Sequence, residues 1–233
     1  KSLKNLSQTL IEKWGVVPED VTKTVDEILF SAYEADRREV EQWIDQCLLD
    51  SVGVVGGQLL EDLLSPDVKM FVNIGRFSPE KGQLRLIEAF ERSASDCPQC
   101  RLLIIGGHGA LKQEVRARIA ASPFSSRIYM LGAMANPYVL LKWCDCFVLS
   151  SHYEGLGLVV FEAKILGKDV ISVDLDVIRK YLEDQDALFV DNSMEGLADG
   201  MSRYINKGWM GKVSTSLSYM ERDAKQEFEA LFK

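Results

Sequence analysis

Three short stretches carry the residue types that handle anions and sugars. The first, Gly75-Arg76-Phe77-Ser78-Pro79-Glu80-Lys81-Gly82, sets two cations on a glycine-bounded turn between an apolar run and a helical pattern. Cations at the carboxyl edge of a parallel sheet are placed to hold a diphosphate; a solvated turn with an ion pair to Glu80 explains the same residues without a ligand. The second, Ile105-Gly106-Gly107-His108-Gly109-Ala110-Leu111, again joins a strand pattern to a helix. Leu111 and Lys112 stand where the dinucleotide fingerprint needs its last glycine, so nicotinamide dinucleotide binding is not supported. A tight turn carrying a surface His108 accounts for this stretch equally well. The third, Ser151-His152-Tyr153-Glu154-Gly155-Leu156-Gly157-Leu158-Val159-Val160-Phe161-Glu162-Ala163, is the most informative. Gly155 and Gly157 fall where a strand passes into a helix, so backbone amides there can point at an anion. Glu154 precedes the turn and Glu162 lies about one and a half turns inside the helix. Glu162 falls among Val159, Val160, Phe161 and Ile165, and an acid on an apolar face needs a partner. Paired sugar hydroxyls would supply one, as would a structural hydrogen bond; Glu154 by itself could be a charge at a helix start.

These stretches need a scaffold that brings strand ends together, and the pattern from Val68 onward provides it. The runs VKMFVNI, RLLIIG, RIYMLG, CFVLS, DVISVD and ALFV have strand length and are rich in branched residues, as buried parallel strands are. Helical spacing separates them, through Leu84, Ile87 and Phe90; Leu111, Val115 and Ile119; Val139, Leu140 and Trp143; and Val160, Phe161 and Ile165. The expected fold class is α/β, a Rossmann-like doubly wound parallel sheet whose ligands sit outside the carboxyl ends of the strands. Residues 1–65 read as a helical segment, with helices over 3–14 and 21–49 and the loop SVGVVGG before the first strand. Residues 66–211 form the Rossmann-like domain. Residues 212–233 read as an amphipathic helix with Tyr219, Phe228 and Leu231 on its packed side.

Composition removes other classes of function. The chain has 233 residues, 47% of them hydrophobic, enough for a sizeable core. Its net charge of −8 gives no basic field for nucleic acid. No apolar run approaches the roughly 20 residues that cross a bilayer, and the first residues lack a signal-peptide core, so a cytoplasmic location is the expectation. The five cysteines, Cys47, Cys97, Cys100, Cys144 and Cys146, are expected to be reduced and mostly buried. Cys97 and Cys100 have redox-motif spacing, but no second such pair completes a zinc site, and two histidines are too few for a His-rich one. No metal and no cofactor are expected.

Taken together, GRFSPEKG, IIGGHG, Leu131-Gly132 and SHYEGLGLVVFEAKILGKDVI resemble the C-terminal, nucleotide-sugar-binding domain of the retaining glycosyltransferases of family four, which have the GT-B fold. The resemblance runs over about residues 68–206, and the Glu-x7-Glu spacing from Glu154 to Glu162 is its most specific part. It implies that Arg76 and Lys81, beside Gly75, hold the donor diphosphate, with Glu154 on hydroxyls of the donor sugar; Arg76, Lys81 and Glu154 would then act in catalysis. It further implies that the amides of Gly155, Leu156 and Gly157 cap the phosphates, that Glu162 holds the ribose, and that Gly107 and the backbone near Leu131 meet the nucleotide and its base. Two departures stand out: Asp169 replaces a proline usual in the family, and Asp174-Leu175-Asp176 replaces a glycine-rich loop.

By the resemblance, the reaction moves a sugar from a nucleoside diphosphate to a hydroxyl of a saccharide or polyol, with retention and without a metal. Bacterial cell-wall or surface-polysaccharide synthesis is the expected setting, in the cytoplasm, with peripheral attachment at the membrane open to the full-length protein. A chain that opens on Lys1 is expected to be the donor half of a two-domain enzyme, inactive without a preceding Rossmann-like domain. A two-domain enzyme would need on the order of 300 residues or more. The alternative is a non-catalytic nucleotide-sugar-binding or scaffold subunit that assembles with another chain. A sugar-nucleotide epimerase of the same fold leaves the Glu-x7-Glu spacing unexplained.

Overall fold

Branched and aromatic residues in runs of three to six build the sheet of the computed structural model, which describes residues 56–134 and 136–207. The expected helices over 3–14, 21–49 and 212–233 lie outside the described residues. The strands are β1 (Lys69–Ile74), β2 (Cys100–Ile105), β3 (Ile128–Leu131), β4 (Cys146–Leu149), β5 (Asp169–Val173) and β6 (Leu188–Val190). They pair in the order β3-β2-β1-β4-β5-β6, every pair parallel. The chain winds outward from β1 through β2 to β3, then returns to the other side of β1 with β4. That reversal opens a crevice between the carboxyl ends of β1 and β4, where open α/β sheets bind ligands.

Helices cover both faces: α1 (Gly56–Leu64), α2 (Gln83–Ser93), α3 (Lys112–Ala120), α4 (Tyr138–Trp143), α5 (Leu158–Ile165), the single-turn α6 (Asp176–Arg179) and α7 (Met194–Lys207). Because strand side chains alternate, Met70 and Val72 of β1 enter a core with Leu59 and Leu63 of α1, Leu140 of α4 and Val160 of α5. Phe71 enters the opposite core, with Leu86 and Phe90 of α2, Val115 of α3 and Met201 of α7. Burying each such side chain is worth about 1.5 to 3 kcal/mol, so the sheet is held from both sides.

Three features differ from the reading of the sequence. Helix α1 begins at Gly56, inside the stretch read as a loop; burial of Leu59, Leu60 and Leu63 along one helical face outweighs the helix cost of two glycines, about 1 kcal/mol each. Helix α7 was not singled out, yet it buries Leu197, Ala198, Met201 and Tyr204. Its Gly200 has no room for a side chain, since a Cβ there would lie 2.6 Å from Val190 Cγ1. Cys97 and Cys100, expected as thiols, are joined as a disulfide across the turn between α2 and β2, which holds their Cα atoms 5.6 Å apart. Cys144 and Cys146 are buried thiols, as expected, and burial pushes both well above the usual thiol range.

Candidate functional site

The turn after β1 carries Lys81 in a short 3-10 helix, Pro79–Lys81, which ends on Gly82 at φ 64°. The Lys81 stem runs past Gly75, where an added Cβ would lie 3.4 Å from Lys81 Cδ, in ordinary contact with it. Its ammonium reaches across the β1–β4 crevice to Glu154, with Nζ 2.7 Å from Oε1 and 2.9 Å from Oε2. Ser151 Oγ donates to the same carboxylate at 2.6 Å. The Glu154 side chain is only 8% exposed and that of Lys81 21%, so the pair is poorly screened by water. Two residues from separate motifs thus meet at the point where the sheet reverses.

Arg76 does not join them. Its side chain is 59% exposed and its Nη2 lies 3.1 Å from Glu80 Oε1, the solvated ion pair that the turn allows without a ligand. Glu162, the fifth residue of α5, is partly buried. Burial raises its pKa, and a hydrogen bond from the Tyr138 hydroxyl on α4 partly offsets this. Tyr138 is itself pushed up to about 12 by burial and then by the Glu162 charge. Tyr138 therefore partners the acid on the apolar face, a role that the sequence did not assign.

The glycines have distinct reasons. Gly157 adopts φ 65° as the N-cap of α5 and packs under Ile178 of α6, whose Cδ1 would lie 2.4 Å from a Cβ. Gly155 is exposed, with open space around it, and Leu156 between them is partly buried. No side-chain oxygen among the described residues caps α5, which leaves its start to backbone groups alone. Gly107 faces Ala133, whose Cβ would be 2.9 Å from an added one. Leu131 is 1% exposed, and its carbonyl accepts the Gly106 amide at 3.1 Å. His108 is exposed, as expected.

The loop Gly106 to Gly109 wraps Phe77, which is fully buried. The Phe77 amide donates to the His108 carbonyl at 2.8 Å, and the Phe77 carbonyl accepts the Leu111 amide at 2.9 Å. A Cβ on Gly109, at φ 139°, would lie 2.0 Å from the Phe77 carbonyl oxygen, and one on Gly106 2.3 Å from that of Gly75. Close backbone approach thus requires glycine at both positions, whereas the nucleotide role that the resemblance implies belongs to Gly107.

Sequence reasoning also missed Asn73, Arg85, Ser150 and Asn192, which hydrogen-bond around the same crevice. Asn73 gave one signal, as the lone amide in an apolar strand. Among the described residues, no group of three His, Cys, Asp or Glu side chains is placed to hold a metal ion. Nor is any helix there long and apolar enough to cross a membrane.

A six-stranded parallel sheet with glycine-bounded turns at its reversal is a Rossmann-like α/β fold, and its structural neighbours are GT-B glycosyltransferases. The chain belongs to the glycosyl transferases group 1 family, whose model matches residues 35–225. Over 108 residues it is 41% identical to an uncharacterized glycosyltransferase of Methanocaldococcus jannaschii, covering 46% of this chain and 26% of that protein. It is 31% identical over 120 residues to the N-acetylgalactosamine-N,N'-diacetylbacillosaminyl-diphospho-undecaprenol 4-alpha-N-acetylgalactosaminyltransferase of Campylobacter jejuni, covering 52% of this chain and 32% of that one. The chain thus spans about a third or less of the length of these two relatives. Among solved structures, sucrose-phosphate synthase from Thermosynechococcus elongatus superposes with a TM-score of 0.59 at 20% identity, over 80% of this chain and 50% of that one. The pneumococcal O-GlcNAc transferase in complex with UDP and GlcNAc gives a TM-score of 0.59 at 18% identity, over 72% and 36%.

Proposed function

We propose that this chain binds a nucleoside diphosphate sugar in the β1–β4 crevice and serves as the donor half of a retaining glycosyltransferase acting in polysaccharide assembly. The observation that carries the reading is the Lys81 to Glu154 pair, which brings a cation and a carboxylate from two motif turns together at the sheet reversal. An incoming diphosphate competes for the ammonium, and the carboxylate so released is placed to accept hydroxyls of the sugar. Arg76 leaves Glu80 to join the same phosphates, the amides of Gly155 to Gly157 cap them, and ionised Glu162 accepts from the ribose.

In the transfer, the bond from the anomeric carbon to the leaving phosphate oxygen breaks and a bond to the acceptor oxygen forms on the same face. The acceptor proton passes to the departing phosphate oxygen. Negative charge grows on the diphosphate, and Lys81 with Arg76 stabilises it. Because positioning the acceptor supplies a large share of rate enhancement, the reaction requires an acceptor wall from a second Rossmann-like domain. The family membership and the UDP held by the pneumococcal neighbour support UDP as the first nucleotide to try.

Calorimetric titration of the chain with UDP and with uridine tests the reading. Charge-assisted hydrogen bonds are worth about 1.5 to 3 kcal/mol, so Lys81→Ala is expected to weaken UDP about tenfold or more and to leave uridine nearly unchanged. Equal UDP affinity in parent and variant would overturn the site.

A further inference from the structure

The ladder between β1 and β4 stops at Val72 with Phe147, short of the carboxyl ends of both strands. Side chains take over from there. Asn73 Nδ2 donates to the Val148 carbonyl at 2.9 Å, and Ser150 Oγ donates to the Lys81 carbonyl at 2.8 Å. The Ser150 carbonyl in turn accepts Arg85 Nε at 2.9 Å and Nη2 at 2.6 Å. Arg85 continues to the turn after β6, where Nη2 lies 2.7 Å from Asn192 Oδ1 and Nη1 3.3 Å from the Asn192 carbonyl. Asn192 Nδ2 donates to the His152 carbonyl at 3.0 Å, and the His152 amide donates to the Glu80 carbonyl at 2.7 Å. The circuit closes on the turn that carries Lys81.

The approach at its centre is close. A Cβ on Gly82 would lie 2.2 Å from the Ser150 carbonyl oxygen and 2.8 Å from Arg85 Nε, so only glycine lets the two turns and the guanidinium meet. A guanidinium presents five donors in a rigid plane and can hold a carbonyl and an amide together; an ammonium on a flexible stem cannot reproduce that fork. Burial lowers the Arg85 pKa from a value so high that the group stays charged. Lys81 lies four residues before Arg85, and Glu154 four residues after Ser150. Any slip between these turns changes where the ammonium and the carboxylate stand.

We propose that Arg85 is a positioning residue of the donor site: through the Ser150 carbonyl and Asn192 it holds the Lys81 turn and the Glu154 turn in register. This rests on the donor-site reading above. A positioning role predicts a loss confined to the phosphate end of the ligand, because base and ribose contacts lie elsewhere. A merely structural role would weaken UDP and uridine alike.

The test is calorimetry of the 233-residue chain with UDP and uridine, in the parent, Arg85→Ala, Arg85→Lys, Asn192→Ala and Lys81→Ala. Displacing the Lys81 ammonium weakens a charge-assisted contact worth about tenfold or more in affinity, so Arg85→Ala is expected to weaken UDP about tenfold and uridine less than about twofold. Arg85→Lys should recover only part of the loss, and Asn192→Ala should show a smaller loss with the same UDP-selective pattern. Unchanged UDP binding in Arg85→Ala, or equal losses for UDP and uridine, overturns the proposal. Should Arg85→Ala fail to unfold cooperatively on heating, Asn192→Ala decides by the same split, since its side chain is exposed. Lys81→Ala separates the two readings. Unchanged UDP binding there overturns the donor site itself, whereas a loss there with none in Arg85→Ala overturns only the positioning role.

Discussion

At the amino edge of the sheet Asp62 is ringed by donors from three elements, whereas at the carboxyl edge Glu154 and Glu162 are held by few. Asp62 accepts Arg101 Nε at 2.7 Å from β2, Gln58 Nε2 at 3.3 Å from its own helix and the Tyr129 hydroxyl from β3. Its donors come from two strands and from its own helix. Glu154, by contrast, depends on a lysine at the end of a flexible stem and on one serine. Among the described residues Tyr138 bonds Glu162, and burial already works against its charge. Asn73 Oδ1 and Gln83 Oε1, both at the carboxyl edge, are buried without a partner among the described residues. A carboxylate whose bonds are all made by rigid neighbours holds a fold together; one whose bonds are few and movable can exchange them for a ligand's hydroxyls.

The largest expected effect breaks the comparison at its rigid end. Removing one partner of a buried ion pair costs about 3 to 5 kcal/mol, so Asp62→Ala should lose about 3 kcal/mol in urea unfolding while the folded fraction binds UDP normally. A loss below about 1 kcal/mol would show that Asp62 is no more committed than Glu154.

A middle-sized effect sharpens the flexible end. Burial raises the Glu162 pKa above its ordinary 4.5, so the folded protein binds a proton where the unfolded chain has released one. This group's contribution to stability therefore falls as pH rises from the ordinary value through the raised one. On the proposed role of Glu162 as acceptor from the ribose hydroxyls, the ionised form binds, so uridine affinity should fall as pH is lowered through the raised value. Uridine itself does not titrate there, and Glu162→Gln should flatten the dependence. A parent profile as flat as that of the variant would remove Glu162 from the ribose site.

The smallest effect belongs to Arg76. Exposed ion pairs contribute about 0 to 1 kcal/mol, so Arg76→Ala should leave stability within about 0.5 kcal/mol and weaken UDP less than Lys81→Ala does. Urea unfolding and calorimetry measure both; a larger loss of UDP affinity than in Lys81→Ala would reverse the ranking of the two cations.

How much of this was legible in the sequence depended on the range of each interaction. The six strands could be read because a strand buried on both faces needs a largely apolar run, and VKMFVNI and CFVLS are mostly that. Lys81 and Glu154 could be singled out as charges on glycine turns at strand ends. Their direct contact could not, because it joins residues 73 apart through strand order. Arg85 was invisible for the same reason: its partners lie 65 and 107 residues away, and in sequence it is one more cation on a helix. Helix α7 hid behind Gly196, Gly200 and a polar face, while Gly56 and Gly57 made the start of α1 look like a loop. The Cys97 to Cys100 disulfide turned on oxidation state, which spacing leaves open.

The loop around Phe77 carries a consequence for how such chains diverge. At both Gly106 and Gly109 the nearest obstruction is main-chain oxygen, of Gly75 and of Phe77 respectively, so no exchange of the side chain at position 77 would make room for a Cβ. A duplicated copy that lost its ligand would remain under selection to keep both glycines, simply to close its sheet edge. The glycine pattern between β2 and α3 would then persist as a relic after transfer had ceased. On the proposed donor-site reading, loss of activity in a descendant would be recorded first at Lys81 and Glu154, whose pairing could drift once the ligand is gone.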